Sequence, residues 1–304
     1  MEKEIEELKS PPNLLGDKEY QKKARLALPI LVRQASVSQK IYYSDLASEL
    51  DMPNPRNLNY VLGEIGNSLL ELSKIWNEKV PPIQCIVISK STELPGEGIN
   101  WFIEKSEDFK NGSPSEKKQL LNEMLFDVFH YEKWSKVLEH FNLEANNLPI
   151  KTFTKYNGSA LRIKPNGGGE SEFHKNLKET ISKNPDLLNL KDYGIGKTEY
   201  LFPSADTIDV LFENNKSIVG IEVKSKISNE ADIIRGMFQC IKYESLIEAQ
   251  NRVNGFRKKI RVILVLENEF PINLIPMKNV LSIDVMDLLS EKIKNDEKLR
   301  GLEK

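Results

Sequence analysis

The sequence predicts an α/β protein of two domains, a helix-rich one followed by a sheet flanked by helices. Three observations carry this. The chain has 304 residues, about twice the ~150 of an average domain. A glycine-rich stretch from Asn157 to Gly169, ending in Gly167, Gly168 and Gly169, separates two differently patterned halves. Beyond it, strand-like runs at Thr207 to Phe212, Ser217 to Lys224 and Ile260 to Leu266 surround a long helical pattern.

Residues 1–17, with Pro11 and Pro12 and little periodicity, read as an arm. From Lys18 to Ala35 apolar residues recur at helical spacing. Ser44 is placed to cap a short helix from Asp45 to Leu50, and Met52 to Pro55 reads as a turn. Leu58, Val61, Leu62, Ile65, Leu69 and Leu72 then form a stripe of helical period. Pro81 and Pro82 precede the β-branched run Ile83 to Ser89. With a polar turn at Pro95 and Gly96 and an apolar segment ending at Trp101 and Phe102, that run predicts a β-hairpin. Residues 18–105 thus read as three helices followed by a two-stranded wing. Residues 106–150 read as a helical extension, opening with a surface loop from Ser106 to Lys118, and 151–169 as a linker. In the second domain, 170–304, a helix from Ser171 to about Asn184 precedes the strands. A long helix from Asn229 to Gln250 separates the last two of them, and Val280 to Ile283 is expected to add a short strand.

Apolar residues are 39% and charged residues 29% of the chain, which excludes disorder as a whole and suits a globular protein. No stretch approaches the ~20 apolar residues of a membrane span, and the amino terminus carries no apolar signal core. The expectation is a cytoplasmic protein without membrane contact. Two cysteines and three histidines argue against zinc chemistry and a disulfide scaffold. Lys plus Arg is 43 against 45 Asp plus Glu, so any nucleic-acid site must be local.

The chemistry is expected in the hairpin of Thr207 to Lys224. Side chains alternate along a strand, so Glu222 and Lys224 share one face with Gly220. A turn about Asn214 and Asn215 would set Asp209 opposite Gly220 and diagonal to Glu222, with ~7–8 Å between diagonal Cα atoms. Two carboxylates so placed suit a hard cation, Mg2+ or Mn2+. Gly220 would leave room for it and its water, and Lys224 would orient that water or stabilise the transition state.

Asp209 followed by Glu222-Val223-Lys224 resembles the signature of the PD-(D/E)XK nuclease superfamily, with Ile208 where proline commonly stands. The resemblance covers roughly Glu170 to Asp284 and implies a restriction-endonuclease-like α/β/α core. It implies Asp209 and Glu222 as metal ligands with the main-chain carbonyl of Val223, and Lys224 as the residue that positions water. It also implies an acid on the preceding helix. Glu170 is preferred to Glu172, because it shares the stripe of Phe173 and Leu177. Gln239 and Tyr243 match the Gln-x-x-x-Tyr element of some branches, and Arg235 lies on the same helix face. His174, a single histidine on a helix, reads as structural. The basic group Arg252, Arg257, Lys258, Lys259 and Arg261 reads as a solvated loop or a phosphate contact.

The first domain resembles winged-helix domains fused to restriction-type nucleases, through Tyr42 to Ala47, Arg56-Asn57-Leu58 and Leu94 to Gly98. Arg56, Asn57 and Asn59, at the start of the third helix, are the expected DNA contacts. A looser likeness to the DNA-binding half of alkyltransferases lacks their nucleophile motif at Pro82-Ile83-Gln84-Cys85. The implied activity is a Mg2+-dependent (or Mn2+-dependent) endonuclease. Its substrate would be double-stranded DNA selected by the first domain, with restriction or phage defence as the implied role. A homodimer would suit cutting of both strands. For Asp209, Glu222 and Lys224 the plain reading is a solvent-facing ladder on an ordinary hairpin. Two alternatives remain open: a non-catalytic DNA-binding regulator whose second domain only holds DNA or dimerises, and an RNA-cleaving nuclease.

Overall fold

Residues 14, 16–148 and 171–288 are described by the structure, a computed structural model. They form a mixed α/β chain in two units, Met1–Leu148 and Pro149–Lys304. The glycine-rich linker and Glu170 lie outside the described residues. Among the described residues no helix is long and apolar enough to cross a membrane.

In the first unit, α1 (Glu19–Ser36), α2 (Tyr43–Glu49) and α3 (Leu58–Trp76) follow the predicted order. The stripe Leu58, Val61, Leu62, Ile65, Leu69 and Leu72 is buried along its whole length, and it packs α3 on α1. Asn77, in the left-handed conformation at φ 47°, ends α3. Helix α2 begins at Tyr43, with Tyr42 in the capping position, so Ser44 lies inside the first turn and is not the cap. Across α1 and α2, Arg33 grips Glu49 with two hydrogen bonds of 2.6 and 2.8 Å. Both side chains are nearly inaccessible, at 5% and 6% exposure.

The predicted wing is absent from this unit. Ile83–Ile86 is a 3-10 turn, and only Val87–Ile88 is extended (β2). It pairs in parallel with Ile41–Tyr42 (β1), Val87 facing Ile41. Val87 and Ile88 are both buried, so the run belongs to the core and not to a protruding ribbon. After one bond from the Ser89 N–H to the Leu94 carbonyl at 2.9 Å the return segment leaves it: the Gly96 N–H goes to the Tyr43 hydroxyl at 3.0 Å, and Glu97–Phe102 coils into a second 3-10 turn. The expected loop from Ser106 to Lys118 is also corrected. It holds α4 (Ser106–Asn111) and the start of α5 (Pro114–His130). Ser113 and Glu116 form a capping box with proline at the first helical position, and Phe109 is buried. Helix α6 (Trp134–His140) completes the unit.

The second unit is a five-stranded sheet between helices. Its elements are α7 (Glu172–Lys183), β3 (Lys197–Leu201), β4 (Thr207–Glu213), β5 (Ser217–Lys224), α8 (Glu230–Val253), β6 (Lys259–Leu266), α9 (Ile275–Val280) and β7 (Asp284–Asp287). The strand order is β3-β4-β5-β6-β7, antiparallel as far as β5 and parallel beyond it. Helix α7 packs through Leu177 and Ile181 on Val210, Ile221, Val223 and Ile263. Helix α8 packs through Ile234, Met237 and Cys240 on the other face, with Leu211 and Leu264. A parallel pair needs a crossover, and α8 supplies it between β5 and β6.

Three sequence expectations change here. Strand β3 was not expected, because Lys-Thr-Glu-Tyr-Leu is polar and mostly exposed, as an edge strand tolerates. The last strand lies at Asp284–Asp287, because Ile275–Val280 turns as a helix first. The β4–β5 register is shifted by two residues: Leu211, not Asp209, faces Gly220, and Val210 faces Ile221. Asn214 is the cause. Its side-chain oxygen accepts from the N–H groups of Lys216 and Ser217, both at 2.9 Å, which centres the turn on Asn215 and Lys216.

Candidate active site

Strand β5 is the central strand and is covered on both faces. Glu222 is 3% and Lys224 9% exposed. A solvent-facing ladder of charges is thereby excluded, since ladder residues stand in water. The two side chains meet at 2.7 Å, Lys224 Nζ donating to Glu222 Oε1. Burying such a pair is costly unless further hydrogen bonds complete it, and α8 provides them. Lys224 Nζ also donates to Gln239 Oε1 at 3.3 Å, Gln239 Nε2 donates to the Tyr243 hydroxyl at 3.4 Å, and that hydroxyl donates to the Thr207 carbonyl at 2.6 Å. The Gln-x-x-x-Tyr pair therefore ties the lysine to the start of β4.

Asp209 closes the other side. Its Oδ2 accepts the Val223 N–H at 2.8 Å, which brings the β4 carboxylate onto the strand that carries Glu222 and Lys224. Its Oδ1 lies 3.2 Å from His174 Nε2 on α7. Burial alone would raise the Asp209 pKa, but the His174 hydrogen bond, the Val223 N–H and the nearby positive charges outweigh it and hold the carboxyl below its ordinary value. Glu222 goes the opposite way. Burial lifts it to about 7, with the Lys224 ammonium opposing and the Asp209 charge adding to the rise.

That rise has a measurable sign. Between its ordinary value and about 7, the folded chain binds this proton more tightly than the unfolded chain, so stability falls as pH climbs through the window. Above it the full cost is present. Glu222→Gln, neutral throughout, is expected to match wild type near pH ~5 and to exceed it near pH ~8 by on the order of 1–3 kcal/mol. Urea midpoints at the two pH values measure this, and an equal effect at both would show that Glu222 carries no such burden.

Gly220 does not open space for a cation. A Cβ there would meet Ile208 at 2.7 Å and Ile247 at 3.1 Å, so its role is close packing beneath α8. The glycine that matters chemically is Gly236, where a Cβ would stand 2.6 Å from Lys224 Cε and 2.8 Å from Leu264. Its absence of side chain lets the lysine stem pass under the helix. Gly236→Ala gains ~1 kcal/mol of helix propensity and is expected to displace Lys224; if the site is catalytic, turnover falls roughly 10- to 100-fold in a folded protein. Retained turnover would disprove the constraint.

Arg235 stands one turn before Gln239 but pairs with Asp232 of its own helix at 3.2 Å. Glu172 is exposed at the start of α7. In the basic group, Lys258 pairs with Glu213 at 2.8 Å, Arg252 with Glu248 at 3.7 Å and Arg261 with Asp284. Sequence reasoning set His174 aside and overlooked Gly236. Only the spacing of His174 ahead of the apolar Leu177 and Ile181 hinted that it faces the sheet.

In the first unit Arg56, Asn57 and Asn59 are all exposed, on the 3-10 turn Pro55–Asn57 and the first turn of α3. Asn59 lines a cavity of about 390 Å3 together with Tyr43, Gly63, Gln84 and Phe102. Gln84 is 4% exposed, and neither polar atom of its amide has a hydrogen-bond partner among the described residues.

Among the described residues no three carboxylate, imidazole or thiol groups converge as a ready metal site. Asp209 and Glu222 are nonetheless the hard-oxygen donors a divalent cation takes when water and substrate oxygens complete its shell. A cation would also offset the burial of the Glu222 carboxylate and its repulsion from Asp209, which together raise its pKa. The donor set fits Mg2+ or Mn2+. No family model, no curated protein and no solved structure matches this chain.

Proposed function

We propose that the chain is a Mg2+-dependent nuclease of PD-(D/E)XK type that hydrolyses phosphodiester bonds in DNA, with the first unit holding the DNA. The observation that carries this reading is the buried convergence of Asp209, Glu222 and Lys224 on the central strand, with each charge held by named partners. The resemblance pairs an α/β/α core with a winged-helix module. The α7-sheet-α8 layering supports the first likeness. The helices of the first unit support the second, though without a wing.

Asp209, Glu222 and the Val223 carbonyl would hold the cation, which when bound supplies an acidified water and neutralises charge on the phosphoryl oxygens. Lys224 has three N–H donors. Two are committed to Glu222 and Gln239, which leaves the third for the attacking water or a phosphate oxygen. Tyr243 and Gln239 hold that ammonium in one place, and preorganised charge of this kind stabilises a transition state without rearrangement. His174 keeps the Asp209 carboxylate turned toward β5.

The test is cleavage of supercoiled, linear and single-stranded DNA, and of RNA, by the full chain with Mg2+, Mn2+ or EDTA. Metal-dependent cutting of DNA is expected. Mg2+ should also raise the thermal midpoint of wild type and not of Asp209→Asn. DNA binding without cutting in any metal would favour the regulator.

A further inference from the structure

Two side chains at the edge of the candidate site take no part in the chemistry above. Phe173, beside His174 in the first turn of α7, is 47% exposed. Lys226, two residues beyond Lys224, holds its Nζ 4.4 Å from the centre of that ring. Both are anchored at the root. Ser171 caps the turn that carries Phe173, accepting from the His174 N–H at 3.2 Å. The Lys226 N–H donates to Glu267 Oε2 at 2.8 Å, and its carbonyl accepts from Asn268 Nδ2 at 3.2 Å. A half-exposed aromatic ring on a fixed backbone with an ammonium beside it is the pairing that binds an unpaired base and its phosphate.

We infer that Phe173 and Lys226 form a stacking platform for the nucleotide next to the scissile phosphate, so that the preferred substrate is DNA unpaired at the cut, such as a flap or single strand. The inference rests on the nuclease reading and names its substrate class. Within a duplex both faces of a base are covered by its neighbours, and only an unpaired base has a face free for Phe173. Lys226 meets the backbone of that nucleotide, and His174, next to Phe173 in the chain and 3.2 Å from Asp209, ties the pair to the candidate site.

The experiment compares a flapped duplex, the same duplex fully paired, and a flap whose nucleotide beside the cut lacks its base. Full-length wild type, Phe173→Ala, Phe173→Trp and Lys226→Ala are assayed for cutting with Mg2+ and for binding by anisotropy with Ca2+. Wild type is expected to prefer the flap. Phe173→Ala should lose roughly tenfold on it, the size of one base stack, while Phe173→Trp retains it. Removing the base should cost wild type the same factor and cost Phe173→Ala nothing more. Equal losses on flap and paired duplex, or losses that add, would overturn the platform. The anisotropy arm reads the same comparison if no DNA is cut, an outcome that would defeat the nuclease reading alone.

Discussion

Lys224→Met is expected, on the nuclease reading, to lower DNA cleavage by roughly 10³-fold while leaving the fold in place. Methionine refills the lysine stem between Gly236 and Leu264 and deletes only the ammonium. What disappears is the donor that touches Glu222 and Gln239 at 2.7 and 3.3 Å and has one N–H left for the reacting groups. Lys224→Arg is expected to fail as well, since a guanidinium is larger and planar, and the site beneath Gly236 has no spare width. Gln239→Ala should lose less, because it loosens the ammonium without removing it. Single-turnover rates on plasmid DNA, beside urea curves for each variant, measure the series. A Lys224→Met protein that still cuts at the wild-type rate would remove this residue from the chemistry.

Glu49→Ala is expected to destabilise the first unit by about 3–5 kcal/mol. Arg33 is buried with Glu49 as its two-pronged partner. Its other contacts, to Asn146 Oδ1 at 3.2 Å and Gln34 Oε1 at 3.5 Å, carry no charge to balance it. Removing the carboxylate strands a guanidinium that can neither give up its proton nor reach water, so the cost exceeds that of an exposed ion pair several-fold. The double change Arg33→Met with Glu49→Leu should recover most of the loss, because the pair's own net contribution is small once its desolvation is counted. Urea midpoints for the single and double variants test this. A loss under ~1 kcal/mol for Glu49→Ala would show that water reaches the pair.

The sequence by itself determined the periodic elements and singled out the candidate site residues. Leu58 to Leu72 reads as a buried helical face, and Ser217 to Lys224 as a strand bounded by turn residues, because period and turn chemistry are local properties of the chain. Asp209, Glu222 and Lys224 were legible as candidates from residue type and alternation alone. Tertiary structure decided what depends on partners distant in the chain. The Ile83 to Ser89 run has the composition of a ribbon strand, but Ile41 and Tyr42 offered it a buried parallel partner while Tyr43 captured the N–H of Gly96. Strand Lys197–Leu201 has no apolar pattern because an edge strand needs none. One amide, Asn214, moved the hairpin register by two residues, turning Gly220 from room for a cation into packing beneath a helix. His174 and Gly236 gained their roles only when α7 and α8 were laid on opposite faces of the sheet. Which carboxylate a ring meets, and which stem a missing Cβ admits, are set by packing between elements that local sequence does not encode.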